Sequence, residues 1–232
     1  MRIRIVILLL ISASYSFGQS STDLKSHYEA FYTQMKKQGD VNGVINALTH
    51  LNVISPSKER RDTLGYVYAN NNQHIQALNT IGIEKNEADS DLAVQVKAIS
   101  LKAINQPKRA LEQFEILNKR SPNAYLAYEI ADLKIQTGDN DGAMANIEYA
   151  LANVQEEMTY AFYERQQPYE VSLKAALLHL KGLVQYNTDH ANIEAAISTI
   201  DEALALEPNF NLASLSKQAL ESRKGKPEEE KN

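Results

Sequence analysis

Three segments of the chain repeat one pattern: VINALTHLNVISP at 44–56, ALEQFEILNKRSP at 110–122 and AISTIDEALALEP at 196–208. Each opens on a small apolar residue (Val44, Ala110 or Ala196). Leu48, Phe114 or Ile200 follows four positions on, then Leu51, Leu117 or Ala203 three further, and Pro56, Pro122 or Pro208 closes. Weaker copies lead from Ala77 to Ile81 and from Ala143 to Ile147. The five leading residues lie 33, 33, 33 and 53 positions apart. A fixed period of this size marks an array of stacked supersecondary units. Apolar positions spaced four and then three apart form the stripe of an amphipathic helix.

A second helical stretch precedes each of these helices. SHYEAFYTQMKKQ sets Tyr28, Phe31, Tyr32 and Met35 on one face, and LAVQVKAISLKAI does the same with Val94, Ala98 and Leu101. Gly39-Asp40 and Gly138-Asp139 supply a left-handed cap for the helix that ends and a side-chain acceptor for the helix that begins. Proline then stops the second helix of the pair. Neither helix can bury its stripe alone, so stacking of pairs makes the core. Phe114 is expected inside it.

The marks within this period resemble the tetratricopeptide repeat. Leu64-Gly65 followed by Tyr68, with Ala77 and Ile81 beyond, matches its first helix and the start of its second; Ala110, Phe114 and Pro122 match the second-helix half one unit later. The resemblance runs over about 23–220. It departs in having no Trp, in Lys97 and Lys134 at positions that are usually apolar, and in intervals of 33 rather than about 34. Ankyrin repeats share the period of 33, but their Thr-Pro-Leu-His turn is missing. The expected fold is all-α, a right-handed α-solenoid of about five helix pairs plus a C-terminal capping helix. Its units are drawn at about 25–57, 58–90, 91–123, 124–170 and 171–208, with the cap at 209–222. The interval of 53 leaves 20 extra residues after the fourth unit, where 154–166 has good helix formers and no breaker before Pro168. A lengthened helix is expected there, facing a lengthened first helix in the fifth unit with Gly182 as its Leu-Gly glycine.

The two ends differ from the repeat domain at 19–222. Residues 1–18 have the three parts of a secretory signal: Arg2 and Arg4, an apolar run at 5–11, and small residues at Ser16 and Gly18. Cleavage after Gly18 is expected, giving a periplasmic or secreted protein, with no membrane span once the leader is gone. The segment 223–232 is a polar tail. Without the leader the chain carries 22 Lys and Arg against 29 Asp and Glu, a net of −7, which argues against nucleic acid as a partner. The chain has no Cys, which excludes disulfides, thiolate metal sites and thiol nucleophiles.

The five His residues, at 27, 50, 74, 179 and 190, are scattered without metal-ligand spacing, and no HExxH, GxSxG or phosphate-cradling loop occurs. GDNDGAMANIE is faintly similar to a calcium loop, but Ala143 stands where a third oxygen ligand is needed. Neither an enzyme nor a cofactor or metal site is expected. The resemblance instead implies a concave face built from the first helices, binding a protein or peptide segment. Mapped residue by residue, that face carries Asp62, Tyr66 and Asn70 in the second unit, Gln95, Ile99 and Lys102 in the third, and Tyr125, Tyr128 and Asp132 in the fourth. Tyr66 and Tyr128 are expected to present flat, amphipathic rings. The basic clamp by which some family members grip a terminal carboxylate is missing, since Glu29 and Asp62 occupy its places. The alternative is a small-ligand or glycan site at the aromatic insertion 149–169, where Tyr149, Tyr160, Phe162, Tyr163 and Tyr169 are available to stack on a sugar, Tyr160 and Tyr163 foremost. Charge is uneven: 91–123 carries six basic and three acidic residues, whereas 124–171 carries two and nine. Such a pair of units makes an oriented field.

Overall fold

The structure, a computed structural model, describes residues 21–224. The expected leader and most of the polar tail lie outside them. The described residues hold eleven α-helices, one short 3-10 turn and one two-stranded hairpin, and divide into two compact units at Ile81 and Gly82.

The first unit contains α1 (Ser21–Gln38), α2 (Val41–Ile54), α3 (Lys58–Asn70) and α4 (His74–Ile81), with α1 packed on α2, α2 on α3 and α3 on α4. Gly39 takes a left-handed φ of +70°, and Asp40 then accepts from the Gly43 N–H at 2.9 Å to start α2. The next turn has no glycine, and Asn72 supplies the left-handed residue at φ 57°. Val44, Leu48 and Leu64 form the core, with Tyr32 and Met35 packed against it.

The second unit contains α5 (Asp91–Ala103), α6 (Pro107–Arg120), α7 (Ala124–Thr137), α8 (Asn140–Asn153), β1 (Thr159–Phe162), β2 (Tyr169–Ser172), α9 (Leu173–Thr188), α10 (Ile193–Leu206) and α11 (Asn211–Glu221). Consecutive helices pack on each other from α5 to α8, and from α9 to α11, while α9 also packs on α8. These are helix pairs with α11 as the closing helix, matching the order expected from the repeat. Ser121 and Glu207, each ahead of a proline, have left helical geometry at φ −149° and −134°, so α6 and α10 stop where the pattern says they must. All five leading residues, Phe114 among their followers, are buried.

Gly182 shows why two helices need a glycine. A Cβ there would lie 2.6 Å from Ile200 Cγ1 and 2.9 Å from the Ala196 carbonyl oxygen. Gly182→Ala must push α9 off α10, an overpacking expected to cost about 1–3 kcal/mol, measurable as a lowered urea midpoint at unchanged slope.

The insertion corrects the sequence reading. α8 ends at Asn153, no longer than the second helices α2 and α6, and the chain then forms a hairpin instead of a lengthened helix. β1 and β2 pair antiparallel, Tyr160 opposite Val171 and Phe162 opposite Tyr169. The segment is aromatic and β-branched with a period of two, which suits a pleated, half-buried surface. Phe162 and Val171 are buried in the core that also holds Phe210 and Leu177. That burial outweighs the helix propensity of Gln155, Glu156 and Glu157. The expected lengthening survives only in α9, at 16 residues.

Candidate functional site

The site is built where the hairpin meets α5, α7 and α9. Lys102 lies in the last turn of α5, and Glu129 and Asp132 lie one turn apart on α7. The Lys102 ammonium is 2.6 Å from Glu129 Oε2 and 3.0 Å from Asp132 Oδ2. From the hairpin, Tyr160 Oη donates to Glu129 Oε1 at 2.7 Å. One carboxylate thus ties together α5, α7 and β1.

Behind this polar knot runs a chain of rings. Tyr128 and Tyr160 have centroids 4.3 Å apart, Tyr160 meets Phe162 at 5.1 Å, and Phe162 meets Phe210 at 5.0 Å. His179 of α9 packs its edge against Phe210 and shares a 2.8 Å hydrogen bond with Ser216 Oγ. Lys102, Tyr128, Asp132, Tyr160 and Tyr163 line a cavity of about 310 Å³, with Leu183 and Leu212 on its apolar wall. Tyr163, 76% exposed, forms its open rim.

Protonation states follow from these contacts. Burial alone would lower the Lys102 pKa, but Glu129 and Asp132 outweigh it and raise it. Burial raises the Tyr160 hydroxyl, and the Glu129 carboxylate that accepts its hydrogen bond raises it further. Tyr128 rises chiefly by burial as well. Lys102 therefore stays an ammonium and both tyrosines stay donors across neutral pH. Burial lowers the His179 pKa to about 4, with Asp132 opposing weakly.

The buried imidazole carries a pH prediction. Its folded pKa of about 4 lies below the ordinary 6.5, so the unfolded chain takes up its proton first as pH falls. Stability from this group is complete above pH 6.5 and is lost from there down to about pH 4. About 2 kcal/mol should disappear between pH 7.5 and pH 5. Urea unfolding at the two pH values should show that loss in the wild type and not in His179→Gln; equal losses would place the titration elsewhere.

The structure brings together only part of the face mapped from the sequence. Lys102, Tyr128, Asp132, Tyr160 and Tyr163 share the one cavity, joining residues assigned to two alternative sites. Gln95, Ile99 and Tyr125 are on the same helices but outside the cavity lining, and Asp62, Tyr66 and Asn70 belong to the first unit. Two assignments need correcting. Tyr128 is only 4% exposed and Asp62 only 2%, so neither offers a free surface, while Tyr66 and Asn70 are exposed as expected. Tyr128 is screened by the hairpin, an element the helical mapping did not contain.

Glu129 and His179 have no role in the sequence-based site. Glu129 is signalled only by its spacing of three from Asp132, and His179 by the apolar run around it. The uneven charge is also largely spent inside the second unit. Lys102 is held by two carboxylates of the acidic stretch, and Arg120 and Lys119 pair with Asp91 and Glu87. Asp139 caps α8 through Gly142 N–H at 2.9 Å, the role of a turn residue.

No protein-family model and no curated protein matches the sequence. Among solved structures the chain is similar to YrrB, described as a TPR protein with an unusual peptide-binding site, with a TM-score of 0.64 and 15% identity, covering 86% of this chain and 98% of that one. It is similar to the MamA protein at a TM-score of 0.59 and 15% identity, over 79% of this chain and 92% of that one. A second MamA structure gives 0.55 and 15% over 83% and 96%. At such identities the likeness is one of architecture, and it agrees with the helix pairs, the glycine contact and the proline stops: the chain has the tetratricopeptide-repeat fold.

Proposed function

We propose that this chain is a non-enzymatic interaction module of the bacterial envelope, exported by residues 1–18, that holds a segment of another protein in the cavity between α5, α7, α9 and the hairpin. The observation that carries the reading is the Lys102–Glu129–Asp132–Tyr160 knot beside an apolar wall. It offers fixed donors and acceptors next to buried rings, and its groups keep their protonation states at neutral pH, which suits recognition better than proton transfer. The cavity has room for one or two side chains of a longer segment. The fold it shares with YrrB, where a peptide-binding site is described, supports the same class of partner. A sugar platform is less well supported: Tyr160, Phe162 and Tyr169 are engaged with neighbouring rings, leaving Tyr163 as the open face of the hairpin.

The test is selection of a random dodecapeptide display library on residues 19–232. Peptides should be enriched on the wild type and should bind Tyr163→Ala at least about tenfold more weakly, because an exposed rim tyrosine contributes to binding and not to folding. Failure to enrich any peptide would overturn the proposal. The envelope assignment is checked by fusing residues 1–18 to a reporter active only outside the cytoplasm; an inactive fusion sinks it.

A further inference from the structure

The hairpin has a register that identifies which of its polar groups are free. Leu173 N–H donates to the Met158 carbonyl at 2.8 Å, in line with the pairs Thr159–Ser172, Tyr160–Val171 and Ala161–Glu170. Hydrogen-bonded and open pairs alternate along an antiparallel ladder. Residues 158 and 173 are hydrogen-bonded, so Thr159–Ser172 and Ala161–Glu170 are open pairs whose backbone groups face away from the partner strand. An independent contact agrees with this: Ser172 N–H donates to Glu207 Oε1 at 2.9 Å, outside the hairpin. The β2 edge is therefore partly capped. The β1 edge is not, and Ala161, whose outward N–H and C=O have no partner among the described residues, lines the cavity between Tyr160 and Tyr163.

Resting on the segment-binding reading above, we infer that the bound segment is extended and basic and adds to β1 as a third strand, exchanging backbone hydrogen bonds with Ala161. Strand addition satisfies both free groups of Ala161 at once, and leaves alternate side chains of the segment to enter the cavity. Charge selects the chemistry. Of the nine acidic residues set against two basic ones across 124–171, Glu129, Asp132 and Asp139 are held in ion pairs, while Glu156, Glu157, Glu164 and Glu170 around the hairpin are all exposed. Of the two cations, Arg165 sits 5.1 Å from the centre of the Tyr169 ring and Lys134 pairs with Asp139. Lys102, the cation among the residues lining the cavity, is already matched by two carboxylates, so the cavity itself offers an acidic segment little. A free loop or chain end fits this edge better than a second copy, whose own β1 lies against the same helical walls.

The experiment uses the peptides recovered from the dodecapeptide library, resynthesised with single backbone N-methyl groups stepped along each. The recovered peptides should be rich in Lys and Arg. N-methylation at every second position should lower affinity at least about tenfold on residues 19–232, with intervening positions tolerant. Ala161→Pro removes the outward N–H at an edge where proline is tolerated, and should cause a comparable loss. Protected Tyr160 and Phe162 amides in hydrogen exchange verify that its hairpin stays formed, and if it does not, the N-methyl scan on the wild type decides. Acidic peptides, a flat N-methyl scan, or sensitivity at a spacing of three and four would overturn the inference and leave segment binding standing. Self-association of the chain abolished by Ala161→Pro would assign the edge to a second copy and also overturn it. Recovery of no peptide would overturn both readings together.

Discussion

Phe210→Ala should destabilise the second unit by about 3–5 kcal/mol, the cost of emptying a fully buried aromatic position. Phe210 has no exposed surface, and its ring lies 5.0 Å from Phe162 and 5.2 Å from His179. It stands at the start of α11 and closes the core over both the hairpin and α9. The loss should not be uniform. Phe162 gives up one of its ring partners and Tyr160 is held through Phe162, so hydrogen exchange of β1 and β2 should accelerate before that of α5 and α6. Urea unfolding gives the total and exchange gives its distribution. A loss below about 1 kcal/mol would mean that the last helix does not close this core.

Asp89→Ala should cost a similar amount by a different mechanism. Lys97, only 3% exposed, donates to Asp89 Oδ2 at 2.5 Å and to the Glu84 carbonyl at 2.7 Å. Removing the carboxylate strands a buried ammonium against one carbonyl oxygen, expected to cost about 3–5 kcal/mol. Removing both charges is different. Lys97→Met combined with Asp89→Ala should recover most of the loss, because a buried pair contributes little beyond an apolar replacement of similar volume. A double variant as unstable as the single one would show that the aspartate acts through something other than the lysine.

These two residues also show what could be read from the sequence. Lys97 and Lys134 were departures from the apolar pattern of the repeat. Each is accommodated by an acid, Asp89 at 2.5 Å and Asp139 at 3.2 Å, contributed by a neighbouring turn. The helix pairs were legible because their signals are local: a period of 33, a stripe at four and three, and caps at Gly39-Asp40 and Gly138-Asp139. The hairpin was not. Gln155, Glu156, Glu157 and Met158 favour a helix locally, and the preference is overturned by Phe162 and Val171 finding a buried place beside Phe210, far away in sequence. The site was half legible for the same reason. Lys102, Tyr128 and Asp132 follow from counting along helices, but the bond from Tyr160 to Glu129 spans 31 residues and depends on the strand that the helical reading lacked. Without the hairpin, residues that line one cavity fall into two alternatives and Tyr128 looks exposed.

The central claim is that the hairpin and the first helices α5, α7 and α9 of the second unit form one binding site. Amide and side-chain NMR spectra of residues 19–232, recorded as a selected peptide is titrated in, test it most directly. Shifts should concentrate on Lys102, Tyr128, Asp132, Tyr160, Ala161 and Tyr163 together, moving with one common affinity. Shifts confined to residues such as Asn140, Gln185 and Asp189, which line a separate cleft between α8 and α9, or divided between helix and hairpin with two affinities, would contradict the account.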